Sequence, residues 1–498
     1  MQIVFRVDSS AQIGTGHMAR CLTLANALRE NGKSTCFISR WVTPGMERQL
    51  AAQGHVLLRL PPGREADAWL AHAHWLGASQ HEDARSTAAA IPGGECEWLV
   101  VDHYGLDAEW EEQLRPHARN ILVIDDLADR RHVCNVLLDQ NLQAKGSDRY
   151  TGLVGSDCKQ LVGPRYALLR PEFRAARRIP SGIVSRLNIF FGGVDPDGVT
   201  LKALDAVEKS GLSLQVDVVA GVDNPHLDAI RMRCAQMGAM LHVQSGEMAR
   251  LFASADLGLG AGGATSWERC CAGLPAIIVS IADNQRAGCR ALQDAGAAFY
   301  LGDADLTGVD MLADAVIRAL SNPAELVSTS RRAVALVDGR GTERVALVMS
   351  RKMTTVRPAR LDDADITWAW RNHPDTRRHF HDPSPVPREA HLSWWSETLG
   401  RNDRVLLVAR CGDIDIGVLR FDCKGDEALV SVYLDPDLTG LGLGAGILQA
   451  GRAWMAANKP EIVKLNAEIL PQNTPSARTF TAAGYLLQGD IHWTRSVH

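Results

Sequence analysis

The N-terminal residues 2–32 join an apolar strand, a glycine loop and a helix, and this feature constrains the fold most. Ile3, Phe5 and Val7 alternate with other residues, as in a short and largely buried strand. The loop 8–16 follows, and the helix after it has apolar spacing and ends at Gly32; its apolar positions are Cys21, Leu24, Ala25 and Leu28. A strand, a glycine loop and a helix in this order predict the first unit of a doubly wound parallel sheet.

The chain has 498 residues, which corresponds to about three domains. Further strands are predicted at 35–39, 97–102, 121–125 and 135–138, and polar residues follow two of them. A second series of strands and helices begins at 187–193, with strands near 214–219, 256–260 and 276–280. We place a hinge at about 165–180, a helical stretch at 331–351 and a linker at 352–354. The predicted domains are therefore two Rossmann-like domains, 1–170 and 171–350, and a smaller α+β domain, 353–498.

Composition excludes several classes of protein. The net charge of −5 gives no basic surface for nucleic acid or an anionic membrane. Arg6 and Asp8 interrupt the first apolar stretch, which argues against a signal peptide, and no apolar run approaches the length of a membrane span. The eleven cysteines include no C-x-x-C pair, as expected for reduced thiols. We expect a cytoplasmic α/β protein.

The first candidate site is Gly14-Thr15-Gly16-His17, between the first strand and the first helix. Glycines let the backbone approach a phosphate, and a helix N-terminus offers free N–H groups; a tight turn without a ligand explains the glycines equally well. The helix start disfavours the imidazolium form of His17, so a neutral ring could act as a general base. The alternative is that this histidine only packs the start of the helix.

The second half supplies possible partners for the same diphosphate. Gly192 and Gly193 end a strand, and a glycine-rich segment, 260–268, leads into a helix that we expect to begin at Ser266. Glu268 has two interpretations that are compatible with each other. It forms a T-x-x-E capping box with Thr265, or it accepts hydrogen bonds from the ribose hydroxyls of a nucleotide.

Residues 6–20 resemble the start of the nucleotide-sugar hydrolases of pseudaminic acid biosynthesis, which remove UDP from UDP-2,4-diacetamido-2,4,6-trideoxy-β-L-altropyranose. The resemblance extends over residues 1–345 and implies a GT-B-like pair of Rossmann-type domains, with UDP held chiefly on the second. It implies that His17 activates a water for attack at the anomeric carbon and that no metal is needed, so the D-x-D segments 195–197 and 435–437 are discounted. The predicted UDP-sugar site comprises Asp8, Gly14, Gly16, Arg20, Asp102, Tyr104, Gly192, Gly193, Gly263, Thr265, Glu268, Asn284 and Gln285.

Residues 355–498 have a different pattern. Antiparallel strands are predicted at 405–409 and 414–421, and another strand, 428–434, precedes a glycine loop and a helix. A further strand, 462–469, is followed by N-x-x-S-x-x-x-F-x-x-x-G-Y, in which Thr474 is the expected N-cap. This combination resembles the GNAT acetyltransferases, which implies acetyl-CoA as co-substrate. The implied acetyl-CoA site comprises Leu434, Thr439, Gly440, Gly442, Gly444, Ala445, Asn473, Ser476 and Phe480.

Two of these residues depart from the GNAT pattern. Thr439 stands where an Arg or a Gln is usual, which matters little if backbone amides carry the binding. Phe480 stands where many members have a Tyr that protonates the leaving thiolate. Because Phe cannot donate a proton, the sequence identifies no general acid.

The start of this third domain resembles the N-acetyltransferase of the same pathway, which acetylates the 4-amino group of the UDP-linked sugar. The resemblance implies an acceptor site at Trp370, Arg371, Asn372 and His373. The same W-R-N-x-P pattern occurs in acetyltransferases that act on proteins, and a Trp at helical spacing also suits a core.

Together the resemblances imply two consecutive steps, in which the acetylated product of one domain is the substrate of the other two. The substrates would be a UDP-sugar, acetyl-CoA and water. Three alternatives remain open: a true GT-B glycosyltransferase with an acetyltransferase, a non-catalytic nucleotide-sugar sensor, and a sister pathway with a different sugar stereochemistry. The sequence does not define the oligomeric state.

Overall fold

The computed structural model describes residues 2–63, 70–143, 146–350 and 354–497. It divides into two compact units, residues 1–345 and 346–498. The predicted linker residues Lys352 and Met353 lie outside the described residues, and Thr354 already belongs to a strand.

The first half of the larger unit is a seven-stranded parallel sheet with helices around it. Its strands are β1 (Gln2–Val7), β2 (Ser34–Ser39), β3 (Val56–Arg59), β4 (Trp98–Asp102), β5 (Ile121–Ile124), β6 (Val136–Asp139) and β7 (Lys159–Val162). Its helices are α1 (Gly16–Glu30), α2 (Pro44–Ala52), α3 (Gln80–Ala90) and α4 (Ala108–Leu114). The strand order is β3-β2-β1-β4-β5-β6-β7, all parallel.

The chain reverses its direction of winding between β1 and β4, which are neighbours in this sheet. Phe5 pairs in register with Phe37 on one side and Val100 on the other, and all three are fully buried. A ligand crevice forms outside the carboxyl ends of strands at such a switch point. The loop between β1 and α1 and the residues after β4 and β5 therefore share one edge of the sheet.

The second half of the larger unit repeats this plan with six parallel strands in the order β10-β9-β8-β11-β12-β13. A short helix, α5 (Pro171–Ala175), precedes it. Its strands are β8 (Arg186–Phe190), β9 (Gln215–Ala220), β10 (Met240–Val243), β11 (Leu257–Ala261), β12 (Ala276–Ser280) and β13 (Phe299–Asp303). Its helices are α6 (Val199–Lys209), α7 (Leu227–Met237), α8 (Met248–Ser254), α9 (Thr265–Ala272), α10 (Arg286–Asp294), α11 (Val309–Leu320) and α12 (Pro323–Leu336). A further helix, α13 (Gly341–Ser350), contains the boundary between the two units.

The smaller unit has a mixed seven-stranded sheet in the order β14-β15-β16-β17-β18-β20-β19. Its strands are β14 (Thr354–Pro358), β15 (Arg404–Cys411), β16 (Ile414–Lys424), β17 (Glu427–Leu434), β18 (Lys464–Glu468), β19 (Leu486–Gln488) and β20 (His492–Ser496). Its helices are α14 (Ala364–Asn372), α15 (Pro374–Arg377), α16 (Arg388–Leu399), α17 (Gly444–Asn458) and α18 (Thr474–Ala482). Only β17 and β18 pair in parallel; the other neighbours are antiparallel. The predicted fold class, two Rossmann-type sheets followed by an α+β domain, is confirmed.

Three local predictions are wrong. The expected helix at 331–351 is two helices, α12 and α13, separated around Gly339, which has a φ of +79°. A Cβ there would lie 2.8 Å from Sγ of Cys271, so only glycine fits this bend. Helix α9 begins at Thr265 rather than Ser266. Asn473, not Thr474, is the N-cap of α18, because its side chain accepts a hydrogen bond from the amide of Ser476.

Candidate active sites

His17 is the second residue of α1, at the carboxyl edge of the first sheet. Its imidazole is 11% exposed, and Nδ1 lies 2.6 Å from Oδ1 of Asp102. Because a carboxylate only accepts hydrogen bonds, a neutral ring that donates to Asp102 carries its proton on Nδ1 and leaves Nε2 as the acceptor. Nη2 of Arg20 also lies 3.2 Å from Nδ1, but the Asp102 contact is the shorter one. The Asp102 contact therefore favours the tautomer that a general base requires.

The resemblance implied that Asp102 binds the UDP-sugar. In the structure its carboxylate contacts His17 and Arg20, which places it to orient His17. Its carboxylate is fully buried, and Arg20 donates to both oxygens at 2.7 Å. Burial alone would raise the pKa of Asp102, but the charges of Arg20 and His17 outweigh it and hold this pKa well below its usual range. Asp102 thus stays ionised and keeps the imidazole in one orientation.

Arg20 and Tyr104, also predicted as UDP-sugar ligands, belong to the same network through Asp126. Arg20 contacts the Asp126 carboxylate at 2.8 Å, and the hydroxyl of Tyr104 donates to it at 2.6 Å. Burial and the Asp126 charge raise the pKa of Tyr104 well above its usual value, so the phenol stays protonated. Asn284 from the second half donates to the Tyr104 oxygen at 3.5 Å. The side chains of the two halves therefore meet beside His17.

Two aromatic residues near His17, His72 and Trp75, were not predicted from the sequence. Tyr104 contacts the His17 ring edge-on at 4.6 Å between centroids, and it stacks on Trp75 at 5.6 Å. His72 contacts Trp75 at 4.4 Å. These residues belong to a short 3-10 turn and the residue before it, which carry no periodic pattern, so the sequence offered no signal for them.

Asp8, predicted as a UDP-sugar ligand, has structural partners instead. The residue is fully buried, and its Oδ1 accepts hydrogen bonds from the backbone amides of Arg40, at 2.7 Å, and Trp41, at 3.2 Å. Its carboxylate also forms a buried ion pair with Arg6 at 2.8 Å. Asp8 therefore fixes the chain after β2 next to the glycine loop, and it is not placed to contact a ligand.

The glycine loops of the two halves face each other. Gly14 and Gly192 have φ angles of +77° and +102°, which side chains adopt rarely. A Cβ on Gly193 would lie 3.7 Å from the hydroxyl oxygen of Thr15, and one on Gly16 would meet no atom within 4 Å. A cleft of about 120 Å³ opens here, and its lining includes Thr15 and Gly193 but not His17. The backbone is thus accessible from both sides, as a phosphate site requires.

The second glycine segment lies at the start of α9. Gln285 reaches this segment, because its Nε2 is 3.2 Å from the position of a Cβ on Gly263. The predicted capping box of Thr265 and Glu268 is wrong: the N-cap is Ala264, and no side chain caps the helix. Burial raises the pKa of Glu268 to about 7, against the opposing charges of Arg170 and Arg269. Its carboxylate is therefore not used by a cap and remains a candidate for ribose binding.

In the smaller unit, β17 and β18 separate where a pantetheine arm could enter. Their pairing covers only Glu427–Leu429 against Lys464–Asn466, although β17 continues to Leu434 and β18 to Glu468. The backbone groups beyond Leu429 and Asn466 are thus not paired with each other across the two strands.

The predicted acetyl-CoA residues follow this gap. Gly440 and Gly442 have φ angles of +79° and +81°, and α17 begins at Gly444, with Ala445 as its second residue. A Cβ on Gly444 would lie 2.6 Å from Cγ2 of Thr479, so α17 and α18 approach closely at this point. The other predicted residues lie around these elements: Leu434 ends β17, Thr439 follows a short 3-10 turn, Asn473 caps α18, Ser476 lies in its first turn, and Phe480 is buried and contacts Tyr485.

The four predicted acceptor residues have local structural contacts. Trp370 is only 6% exposed and packs in the core with Trp395. The Asn372 side chain both donates to and accepts from the backbone of Val386. The remaining two stabilise neighbouring segments: Arg371 stacks on Phe380 at 3.7 Å, and His373 caps α15. Arg371, Asn372 and His373 are partly exposed, and their role in binding the acceptor stays a prediction.

Comparisons with known proteins found relatives for both kinds of predicted activity, the nucleotide-sugar hydrolase and the acetyltransferase. Residues 354–486 match the family model described as the acetyltransferase (GNAT) domain. The chain is 24% identical over 360 residues to the spore coat polysaccharide biosynthesis protein SpsG of Bacillus subtilis (strain 168), covering 70% of this chain and 98% of that protein.

A second relative is the UDP-2,4-diacetamido-2,4,6-trideoxy-beta-L-altropyranose hydrolase of Campylobacter jejuni. It is 27% identical over 233 residues, which cover 46% of this chain and 73% of that protein. Among solved structures, MurG of Acinetobacter baumannii aligns with a TM-score of 0.46 and 16% identity, covering 70% of this chain and 99% of that protein. The resemblances to the nucleotide-sugar hydrolases and to the GNAT acetyltransferases are confirmed by the two relatives and the GNAT match.

Within the described part of the chain, no helix combines the length and apolar character needed to cross a membrane.

Proposed function

We propose that this chain carries out two consecutive steps on a nucleotide sugar. The smaller unit acetylates the 4-amino group of a UDP-4-amino-4,6-dideoxy sugar with acetyl-CoA. The larger unit hydrolyses the resulting UDP-2,4-diacetamido-2,4,6-trideoxy-β-L-altropyranose to UDP and the free sugar. The GNAT match and the similarity to the Campylobacter hydrolase support these two activities. The single observation that carries the hydrolase assignment is the contact between His17 and Asp102.

In the hydrolase step, Nε2 of His17 accepts a proton from water while the water oxygen bonds to the anomeric carbon. The electron pair of the broken C–O bond leaves with UDP. The opposed glycine loops support diphosphate binding, because amides that point at a leaving oxyanion stabilise its charge. Glu268 accepts from the ribose hydroxyls, and Asn284 and Gln285 face the sugar. No metal takes part in this scheme, so UDP release should persist in excess EDTA.

In the acetyltransferase step, the deprotonated 4-amino nitrogen attacks the carbonyl carbon of the acetyl thioester and CoA leaves. The gap between β17 and β18 supports this assignment, since a pantetheine arm needs free backbone groups along its length. Gly440 and Gly442 hold the pyrophosphate through their amides. Phe480 cannot protonate the thiolate, so another group or water does so.

Mass spectrometry after incubation with acetyl-CoA and the UDP-4-amino sugar tests the proposal. The wild type should form UDP and a free diacetamido sugar without any acceptor sugar. A His17→Ala variant should accumulate the acetylated UDP-sugar, because hydrolysis should fall by about 10²-fold or more. His81→Ala is the matched control, since His81 is a surface histidine of the same half that bonds only to Gln113 in the described structure.

Three outcomes would replace the proposal with an alternative. UDP release that needs an acceptor sugar indicates a glycosyltransferase. Undiminished function in the His17→Ala variant indicates a nucleotide-sugar sensor. Acetylation of a protein but not of the UDP-sugar indicates a protein-directed acetyltransferase.

A further inference from the structure

The second half of the larger unit contains a buried arginine that the proposed reaction does not yet use. Arg269 lies in α9 and is only 3% exposed. Its Nη2 donates to the backbone carbonyl of Ala261 at 2.5 Å, whereas Nε and Nη1 have no hydrogen-bond partner. No ion pair of this guanidinium is recorded among the described residues. The described residues thus include a buried positive charge that no carboxylate contacts in an ion pair.

The sequence of β11 makes room for this side chain. A Cβ on Gly258 would lie 3.2 Å from Cδ of Arg269. One on Gly260 would lie 3.1 Å from Nη1 of Arg269 and 2.1 Å from the carbonyl oxygen of Phe190 on the neighbouring strand. Two glycines at alternate positions therefore form a channel on one face of the strand. The guanidinium lies along this channel and ends at Ala261, the last residue before Gly262-Gly263.

A second buried donor lies on the same face of α9. Ser266 is three residues before Arg269, which places both on one side of the helix. It is 3% exposed, and its hydroxyl has no hydrogen-bond partner. The first turn of α9 is also uncapped by any side chain. The Ser266 hydroxyl and the Arg269 guanidinium therefore lie on one side of α9, and the guanidinium reaches Ala261, directly before the Gly262-Gly263 loop. Two unpartnered donors beside a glycine loop suit an anion.

The cost of this arrangement indicates that it has a purpose. An unpaired charge inside a protein is unfavourable, and burial lowers the pKa of Arg269 to about 10, although the group stays protonated at neutral pH. The neighbouring Glu268 compensates only in part, because burial raises its own pKa to about 7. A bound polyanion would supply the missing negative charge.

We propose that Arg269 is a positioning residue for the leaving nucleotide. Its charge, acting through the Gly262-Gly263 loop together with the Ser266 hydroxyl, holds a diphosphate at the start of α9. The same charge stabilises UDP as the electron pair of the glycosidic C–O bond moves onto the β-phosphate oxygen. This inference rests on the proposed function, because it assumes that a nucleoside diphosphate is the leaving group.

Titration calorimetry with UDP, inorganic pyrophosphate and uridine tests this role. Arg269→Met keeps the length of the side chain and removes its charge. We expect it to weaken UDP and pyrophosphate binding by about tenfold or more, with no change for uridine. Arg269→Lys should recover part of the lost affinity, and Ser266→Ala should weaken UDP binding several-fold. Arg231→Met, an exposed arginine on α7, is the matched control and should bind UDP as the wild type does.

Thermal unfolding separates this role from a structural one. Because Arg269→Met removes an uncompensated buried charge, it should raise the melting temperature of the ligand-free protein and reduce the shift that UDP produces. A lower melting temperature with wild-type UDP affinity would overturn the inference alone. Wild-type protein that binds neither UDP nor pyrophosphate would overturn the proposed function as well. If Arg269→Met does not fold, the lysine and Ser266→Ala variants carry the same test.

Discussion

At the scale of single residues, the proposed hydrolysis depends on how His17 is held. The imidazole contacts Asp102, and Arg20 holds the same carboxylate from both sides. The three residues come from α1 and from the end of β4, so the geometry depends on the packing of one helix against one strand. An orienting carboxylate of this kind selects a histidine tautomer and stabilises the imidazolium that forms after proton transfer.

We predict that Asp102→Asn lowers kcat of UDP release by about 10²- to 10⁴-fold with a smaller change in KM. The amide can donate to Nδ1 of His17, which places the ring proton on Nε2 and removes the base. Steady-state kinetics on the acetylated UDP-sugar measures both constants. A double variant with His17→Ala should be no slower than His17→Ala alone, since the two residues act as a unit. A kcat within tenfold of wild type would contradict this role.

The raised pKa of Glu268 leads us to predict that nucleotide binding depends on pH. Its pKa is raised to about 7 in the ligand-free protein, and a carboxylate accepts from the ribose hydroxyls only when it is ionised. Ionisation is about one-tenth complete at pH 6 and nearly complete at pH 8, so UDP affinity should rise by about tenfold between them. Glu268→Gln corrects for the titration of UDP itself. Identical pH profiles for the variant and the wild type would exclude Glu268 as the ribose ligand.

At the scale of elements, the sequence predicts the buried strands well and the edge strands poorly. Strand β4 is fully buried and reads as a continuous apolar run, and its predicted bounds differ from the structure by one residue. Strands β3 and β10 are half-exposed edge strands, whose mixed composition gives no clear period, and both were missed.

The candidate sites show the same limit. His17 has a local signal, because it follows a glycine loop at the start of a helix. Its partner Asp102 is 85 residues away, and no local pattern connects them. Asp8 and Trp370 have typical ligand chemistry in the sequence, yet both are buried among structural partners. The sequence does contain a local indication of Arg269. Gly258 and Gly260 alternate in β11, and such glycines are expected where a large side chain packs against a strand.

The contact between α17 and α18 gives an element-scale prediction. Gly444→Val places methyl groups against Thr479, where a Cβ alone already lies within 2.6 Å of Cγ2. Overpacking of this kind costs about 1–3 kcal/mol, so acetyl-CoA affinity should fall by about tenfold. The rate of UDP release from acetylated substrate should not change. Calorimetry with acetyl-CoA measures the effect.

Two variants control this experiment. Gly400→Ala lies in the same unit, and its Cβ would meet only the carbonyl of Glu397 at an ordinary 3.7 Å, so it should bind acetyl-CoA normally. The double variant Gly444→Ala/Thr479→Ala lacks the methyl group that a Cβ at residue 444 would meet, so it should bind acetyl-CoA more tightly than Gly444→Val does. Normal acetyl-CoA affinity in Gly444→Val would show that this loop does not hold the cofactor.

At the scale of the whole molecule, the two units would act on one substrate in sequence. We predict that joining them raises the local concentration of the acetylated intermediate. Full-length His17→Ala, which retains the acetyltransferase, can be mixed with full-length Gly444→Val, which retains the hydrolase, at an acetyl-CoA concentration well below the Kd of Gly444→Val. At low enzyme concentration the mixture should form free sugar with a longer lag than an equal amount of wild type. Equal lags at all enzyme concentrations would show that the fusion gives no kinetic advantage.

The central claim is that His17 activates a water for attack at the anomeric carbon. Hydrolysis in H₂¹⁸O, followed by mass spectrometry of the UDP, tests it most directly. The account predicts UDP of natural mass from the wild type and a rate of UDP release at least about 10²-fold lower in His17→Ala. UDP that carries ¹⁸O, or a His17→Ala variant that releases UDP at the wild-type rate, would contradict it.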